Sequence, residues 1–355
     1  MKRSVLSNVN INNFDFLRIV FVMTILIAHF IELFSIQSFQ PYMVYINGRL
    51  ALDGFFIISG FLIAKSYENS ASLKNYVSRR LRRLLPGYIT VILLCAIFLF
   101  FLSTNTMSNY FLNGQFWRYL AANLTFQNYL EPCLPGVFES QKICVVNGAL
   151  WTIKIEEAFY LSLPILYWLS KKMRFNFYII IIITYIASIA YFNFFMAHDN
   201  YRIAKQLPGA FAFFASGILM YKNFDFLFDW KHYIIAPCLF LFIMEQYIFN
   251  TQILKPITYG VMVFYLAYTL QFLNNFGKYG DFTYGIYIYH FPVIQVFVAL
   301  KLFRADTPLL MFIGIFSLIL FLAFLSWVFI ELPFLPPSRR SRHKQIFRSR
   351  FKYSK

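Results

Sequence analysis

Ten apolar runs, each near the length that crosses a bilayer, follow one another along this chain and leave it few alternatives. They cover approximately residues 14–35, 50–66, 86–103, 149–169, 175–195, 206–221, 232–249, 256–273, 282–302 and 308–330. A segment in hydrocarbon must pair its own backbone N–H and C=O groups, so runs of this kind become helices. About 20 residues then span the apolar core. The chain is 59% apolar and 13% charged, with a mean hydropathy of +0.59, which no water-soluble core requires. The expected fold class is an all-α integral membrane protein with about ten transmembrane helices. The 46 Phe and 25 Tyr rise together with Ile throughout the apolar runs. They read as lipid-facing bulk, not as stacking platforms for nucleic acid.

The net charge of +17 has a local cause. With Lys2 and Arg3 placed in the cytoplasm, the inner segments hold 22 of the 32 Lys and Arg, and the outer segments and span ends hold nine. Arg18 is intramembrane. This asymmetry is the positive-inside rule, and it puts both termini in the cytoplasm of a multi-pass protein of the cell (inner) membrane. No nucleic-acid partner follows from it. Residues 1–337 form the transmembrane domain, with an outer loop at about 104–148, and 338–355 form a basic cytoplasmic tail. The tail either rests on anionic lipid or serves only as a topology anchor. The first run is too long for a cleavable leader, is interrupted by Arg18 and His29, and lacks a small-residue cleavage site. It is expected to remain as the first span.

Cys133 and Cys144 both fall in the outer loop, where an oxidising compartment would let them pair and close a loop worth about 3 kcal/mol. Cys95 and Cys238 lie in apolar runs as packing residues. The loop offers no further Cys or His near the pair, so no metal is expected.

The residues that lipid should exclude carry the functional signal. Arg18 and His29 stand eleven apart in the first run, which is about three helical turns, or roughly 16 Å along one face. A charge near the bilayer centre costs roughly 2.5–3.5 kcal/mol on insertion scales and marks a functional site or a buried partner. Arg18 either serves such a site or snorkels to the headgroups beside Asp15. Asp53 in the second run and Glu156-Glu157 in the fourth fall at a depth similar to His29 and Glu32. Only one of Glu156 and Glu157 can face the histidine, since neighbours on a helix diverge by about 100°. An imidazole beside a carboxylate is the usual arrangement of a general base that lifts a proton from a hydroxyl. At the inner surface Arg79-Arg80-Leu81-Arg82-Arg83 precedes the third run. The four guanidiniums suit phosphate binding and equally suit a topology determinant. His290 falls near mid-span of the ninth run, to help bind a donor or to hold the bundle. Glu331 is expected to pair with the arginine patch, and Ser59-Gly60 to serve close helix packing.

In this order the residues resemble the acyltransferase-3 family of membrane O-acyltransferases. In that family the first helix carries an Arg and a His with ten residues between, as Arg18 and His29 stand here. The resemblance continues through Leu52-Asp53-Gly54-Phe55-Phe56-Ile57-Ile58-Ser59-Gly60-Phe61-Leu62-Ile63 and the Arg-rich segment ending in Pro86 and Tyr88. It goes on through Leu134-Pro135-Gly136-Val137-Phe138, Val146-Asn147-Gly148 and Leu150-Trp151-Thr152-Ile153-Lys154-Ile155-Glu156-Glu157-Ala158-Phe159-Tyr160. The stretch Tyr284-Gly285-Ile286-Tyr287-Ile288-Tyr289-His290-Phe291-Pro292 and Glu331-Leu332-Pro333 complete it. Lys154 departs from a position usually small or polar, and Ala51 from a frequent glycine. Some members carry a fused extracytoplasmic hydrolase-like domain, which is not expected here.

The resemblance implies acyl transfer from a cytoplasmic donor, commonly acetyl-CoA or another acyl-CoA, to a hydroxyl of a cell-surface or lipid-linked polysaccharide such as lipopolysaccharide. His29 would act as base, with Glu156 or Asp53 orienting it. Arg18, Arg79, Arg80, Arg82 and Arg83 would bind the donor's phosphates, with His290 in support. Donor, glycan acceptor and membrane lipids are the expected partners, with room for a separate partner enzyme. A transporter or exporter of a sugar or acyl precursor also buries charges at mid-membrane. A scaffold would need no His, Asp and Glu aligned at one depth.

Overall fold

The computed structural model describes residues 12–249, 251–274, 276–302 and 307–336. Lys2, Arg3 and the basic tail 338–355 of the topology argument lie outside the described residues.

Among these residues ten helices of fifteen residues or more occupy the ten apolar runs in order. They are α1 (Phe14–Leu33), α2 (Gly48–Glu68), α3 (Leu73–Phe98), α4 (Trp151–Met173), α5 (Phe177–Ala197), α6 (Leu207–Lys222), α7 (Phe224–Met244), α8 (Lys255–Thr269), α9 (Thr283–Ala299) and α10 (Pro308–Ser326). Seven of the described helical stretches are long and apolar enough to cross a membrane. The remaining three are α4, α8 and α9, and each has a local reason. Lys154, Glu156 and Glu157 interrupt α4, whereas α8 has only 15 residues and α9 only 17. Helix α3 begins at Leu73, well before its apolar run, so Arg79–Arg83 belong to a helix and not to a segment ahead of one.

The chain divides into two compact units. The first comprises Met1–Phe21, Arg49–Val77 and Ile155–Gly277. Here α6 is buried on nearly every side, with α5 and α8 packed against it. Gly60 of α2 and Gly217 of α6 interlock. A Cβ on Gly60 would collide with the Phe214 carbonyl, and one on Gly217 with the Ile57 carbonyl. This is the close packing that Ser59-Gly60 foreshadows. Helix α4 carries Pro164, whose missing N–H leaves the Tyr160 carbonyl without its helical donor. The Tyr76 hydroxyl donates to that carbonyl at 2.9 Å.

The second unit comprises Val22–Gly48, Ser78–Lys154 and Lys278–Lys355. Its α9 and α10 pack together, and the 104–148 loop is folded onto α9. The loop contains short helices Met107–Phe111 and Gly114–Leu124 and a Cys133–Cys144 disulfide with Cα atoms 5.4 Å apart. It is anchored to α9 through Gln295, which donates to the Ile143 and Val145 carbonyls at 3.1 and 2.9 Å. In return, Gln141 donates to the Gln295 carbonyl at 3.2 Å.

Candidate active site

In the second unit His29 of α1 meets His290 of α9. Nδ1 of His29 lies 2.8 Å from Nε2 of His290. The ring planes differ by 12° and the centroids are 5.1 Å apart, about as far as that N···N contact allows. The rings are therefore nearly coplanar and joined edge to edge. His290 Nδ1 lies 2.7 Å from the Tyr287 carbonyl and 3.2 Å from that of Ile286. Carbonyl oxygens only accept, so the proton of a neutral His290 sits on Nδ1 and leaves Nε2 as an acceptor. His29 must then donate from Nδ1, which leaves its own Nε2 with a free lone pair.

The surroundings hold that pair in place. Pro292 supplies no N–H to the Ile288 carbonyl, and Asn147 fills the gap by donating to it at 2.9 Å. Phe291 presses its edge on the His29 ring at 5.2 Å and 83°. Gly148 makes room for it, since a Cβ there would stand 2.6 Å from the Phe291 ring. Tyr287, one turn before His290, hydrogen-bonds Thr152 through its hydroxyl. The 147–152 stretch thus braces the part of α9 that carries His290 and Phe291, and these two touch His29.

Also in this unit, Arg83 pairs with Asp281, whose carboxylate also accepts from Thr283. Arg83 also lies within Coulombic range of Glu331, the partner expected for the patch. Glu331 closes a π-turn, accepting from the Ser326 hydroxyl at 2.9 Å. On α3 the arginines splay as helical geometry requires, with Arg79 and Arg82 exposed and Arg80 and Arg83 half-buried.

In the first unit Arg18 pairs with Asp15. Asp53 is fully buried one turn from Arg49, whose Nε lies 3.0 Å from Oδ1. The approach lacks hydrogen-bond alignment, so the Asp53 oxygens and the Arg49 nitrogens have no hydrogen-bond partner among the described residues. Lys255, at the start of α8, lies within Coulombic range of both. Glu156 accepts from the Tyr160 hydroxyl, while the buried Glu157 Oε1 has no hydrogen-bond partner among the described residues. Sequence reasoning overlooked Arg49, Asp281 and the pairing of His290. Of these only Arg49 left a mark, its spacing of four before Asp53. No cluster of His, Cys, Asp or Glu able to hold a metal occurs among the described residues.

These helices thus define a polytopic helical membrane protein with an oriented imidazole pair, His29 and His290, among its buried groups. The profile of an acyltransferase domain, acyltransferase 3, matches residues 11–330, and the chain belongs to that family of acyltransferases. An O-acetyl transferase of Shigella phage Sf6 is 25% identical over 353 residues, covering 92% of this chain and 97% of the relative. A putative O-acetyltransferase of Staphylococcus aureus (strain COL) is 26% identical over 348 residues, covering 81% of this chain and 53% of the relative. This chain thus spans about half the length of the staphylococcal protein. Acyltransferase MdmB of Streptomyces mycarofaciens is 27% identical over 146 residues, 40% of this chain and 35% of that protein. No solved structure matches significantly.

Proposed function

We propose that this acyltransferase moves an acetyl group from cytoplasmic acetyl-CoA to a hydroxyl of a cell-surface or lipid-linked polysaccharide on the outer side of the inner membrane, with His29 as general base. The observation that carries the reading is the hydrogen-bond relay from His29 Nδ1 through His290 to the Tyr287 carbonyl, which leaves His29 Nε2 unprotonated. The acceptor hydroxyl gives its proton to Nε2 as its oxygen attacks the thioester carbonyl. The C–O bond forms, the C–S bond breaks, and the proton passes from His29 to the departing thiolate. His290 accepts a hydrogen bond from the imidazolium formed in between. Backbone carbonyls and a neutral imidazole hold the base without adding a charge that the membrane would penalise.

Arg18 and the Arg79, Arg80, Arg82 and Arg83 segment are assigned to the donor's phosphates, because guanidiniums match phosphate oxygens in pairs. Glu156 or Asp53 is proposed to stabilise the His29 imidazolium. The phage and staphylococcal relatives named for O-acetyl transfer support acetyl as the group moved.

The test uses the purified protein in liposomes, with labelled acetyl-CoA inside and candidate glycan outside. Label should appear on the glycan and be lost in His29→Ala with the protein still in the membrane. Retained acylation in that variant overturns the role of His29. Glycan flux without consumption of acetyl-CoA would instead identify an exporter.

A further inference from the structure

The outer loop turns its polarity inside out. At about 100° per residue, the short helix Gly114–Leu124 presents Trp117, Ala121 and Leu124 on one face, and these are its exposed apolar residues. Its polar residues point the other way. Asn123 donates to the Tyr119 and Glu131 carbonyls at 2.8 and 3.1 Å, and the Tyr88 hydroxyl donates to the Asn123 carbonyl at 2.7 Å. Gln115 donates to Glu131 Oε1 at 3.3 Å, and Tyr119 is buried. A helix bathed in water has the opposite arrangement. Arg118 is the single charged residue of the outward arc. It stands at the margin, 68% exposed, with Nε 3.4 Å from Glu131.

The apolar exposure extends on the N-terminal side of the helix. Leu112 is 79% exposed, and Phe101, just beyond the outer end of α3, is 77% exposed. Ile97 and Phe98 carry the same exposed strip back down α3 itself, a helix that meets the requirements of a membrane span. Exposed apolar residues thus recur from a membrane-length helix into the loop, with exposed Thr104, Thr106, Ser108, Asn109 and Asn113 between them.

We propose that residues 99–130 lie in the membrane interface and not above it, with helix Gly114–Leu124 resting its Trp117–Ala121–Leu124 face in the acyl-chain boundary. Trp117 has the amphipathic ring that settles at headgroup depth, and Arg118 is placed to reach lipid phosphates. The fold behind the helix holds that orientation, because rotating it would withdraw Asn123 and Gln115 from their partners. The outer loop is thus a membrane-lying platform, pinned to α9 on one side and to lipid on the other.

The test is depth-resolved fluorescence on the full chain in phosphatidylcholine–phosphatidylglycerol vesicles. The difference signal between the native chain and Trp117→Phe should be quenched at least about twofold more strongly by lipids brominated near the headgroup than by lipids brominated at the tail ends. Aqueous iodide should leave it unchanged. Iodide quenching without bromine quenching places the face in water and overturns the proposal. A nitroxide on Ala121→Cys should show collision with oxygen exceeding that with a water-soluble nickel chelate. Strong spin–spin broadening would give the face to a second copy of the chain and overturn the lipid assignment.

Discussion

A neutral imidazole accepts a proton only through the ring nitrogen that carries none, and the neighbour of the other nitrogen decides which one that is. For His29 that neighbour is His290, fixed in turn by the Tyr287 carbonyl. Truncating His290 to Ala frees the His29 tautomer and its orientation, so kcat should fall by about 10²-fold or more with little change in KM for acetyl-CoA. His290→Gln restores a side-chain acceptor and should recover part of kcat. If His290 instead serves donor binding, the loss appears in KM and Gln gives no rescue. Steady-state kinetics of the three proteins separates the roles. The sequence exposed His29 and His290 individually because lipid makes any polar residue conspicuous. It did not expose their contact. Hydropathy fixes how deep a residue lies along its own helix but not which neighbouring helix its side chain faces, and 261 residues separate this pair. The same blindness hid Asp281 from Arg83, whereas Arg49 and Asp53 share a helix and were within reach of simple spacing.

At the scale of elements, prolines within helices mark where the fold is stitched. Pro164 and Pro292 each leave a carbonyl four residues back without a backbone donor, and Tyr76 and Asn147 supply replacements. For the first stitch the consequence is measurable by thermal unfolding in detergent. Tyr76→Phe removes the hydroxyl donor from the buried Tyr160 carbonyl and should destabilise the protein by about 1–3 kcal/mol. In a Pro164→Ala background the new N–H fills that carbonyl, so Tyr76→Phe should then cost only a few tenths of a kcal/mol. Equal costs in both backgrounds would remove the stitch. Helix interlocking at Gly217 has its own signature. Gly217→Val drives side-chain atoms into the Ile57 carbonyl and should cost about 1–3 kcal/mol or more in the same melt. The ten helices were legible because apolar length is a strong signal. Their ends were less so. The start of α3 at Leu73 was hidden because Arg-rich sequence in a helix that emerges from the membrane carries no hydropathy mark.

For the whole molecule, two independent features must agree on which side of the bilayer is which. The proposed orientation, from the Lys and Arg distribution, has the 104–148 loop outside, where enzymes of the cell envelope keep thiols oxidised. The Cys133–Cys144 bridge requires such a compartment for a different physical reason, the redox potential. If the orientation were reversed, the bridge would sit in a reducing cytoplasm and the basic segments would have to be translocated, each at a cost. The expected outcome follows in sealed right-side-out vesicles. A membrane-impermeant reductant added outside should release two thiols that an impermeant maleimide then labels, while Cys95, buried in α3, and Cys238 of α7 stay largely unlabelled. Inverted vesicles should give no labelling under the same treatment. Because the bridge closes a segment of separation 11 that folds onto α9, its removal by Cys133→Ser and Cys144→Ser should also lower stability by about 3 kcal/mol. That loss should loosen the Gln295 and Asn147 anchors before it affects α1. Acyl transfer in the liposome assay should therefore fall in step with the melting temperature, and labelling from the cytoplasmic face alone would reverse the orientation for every helix at once.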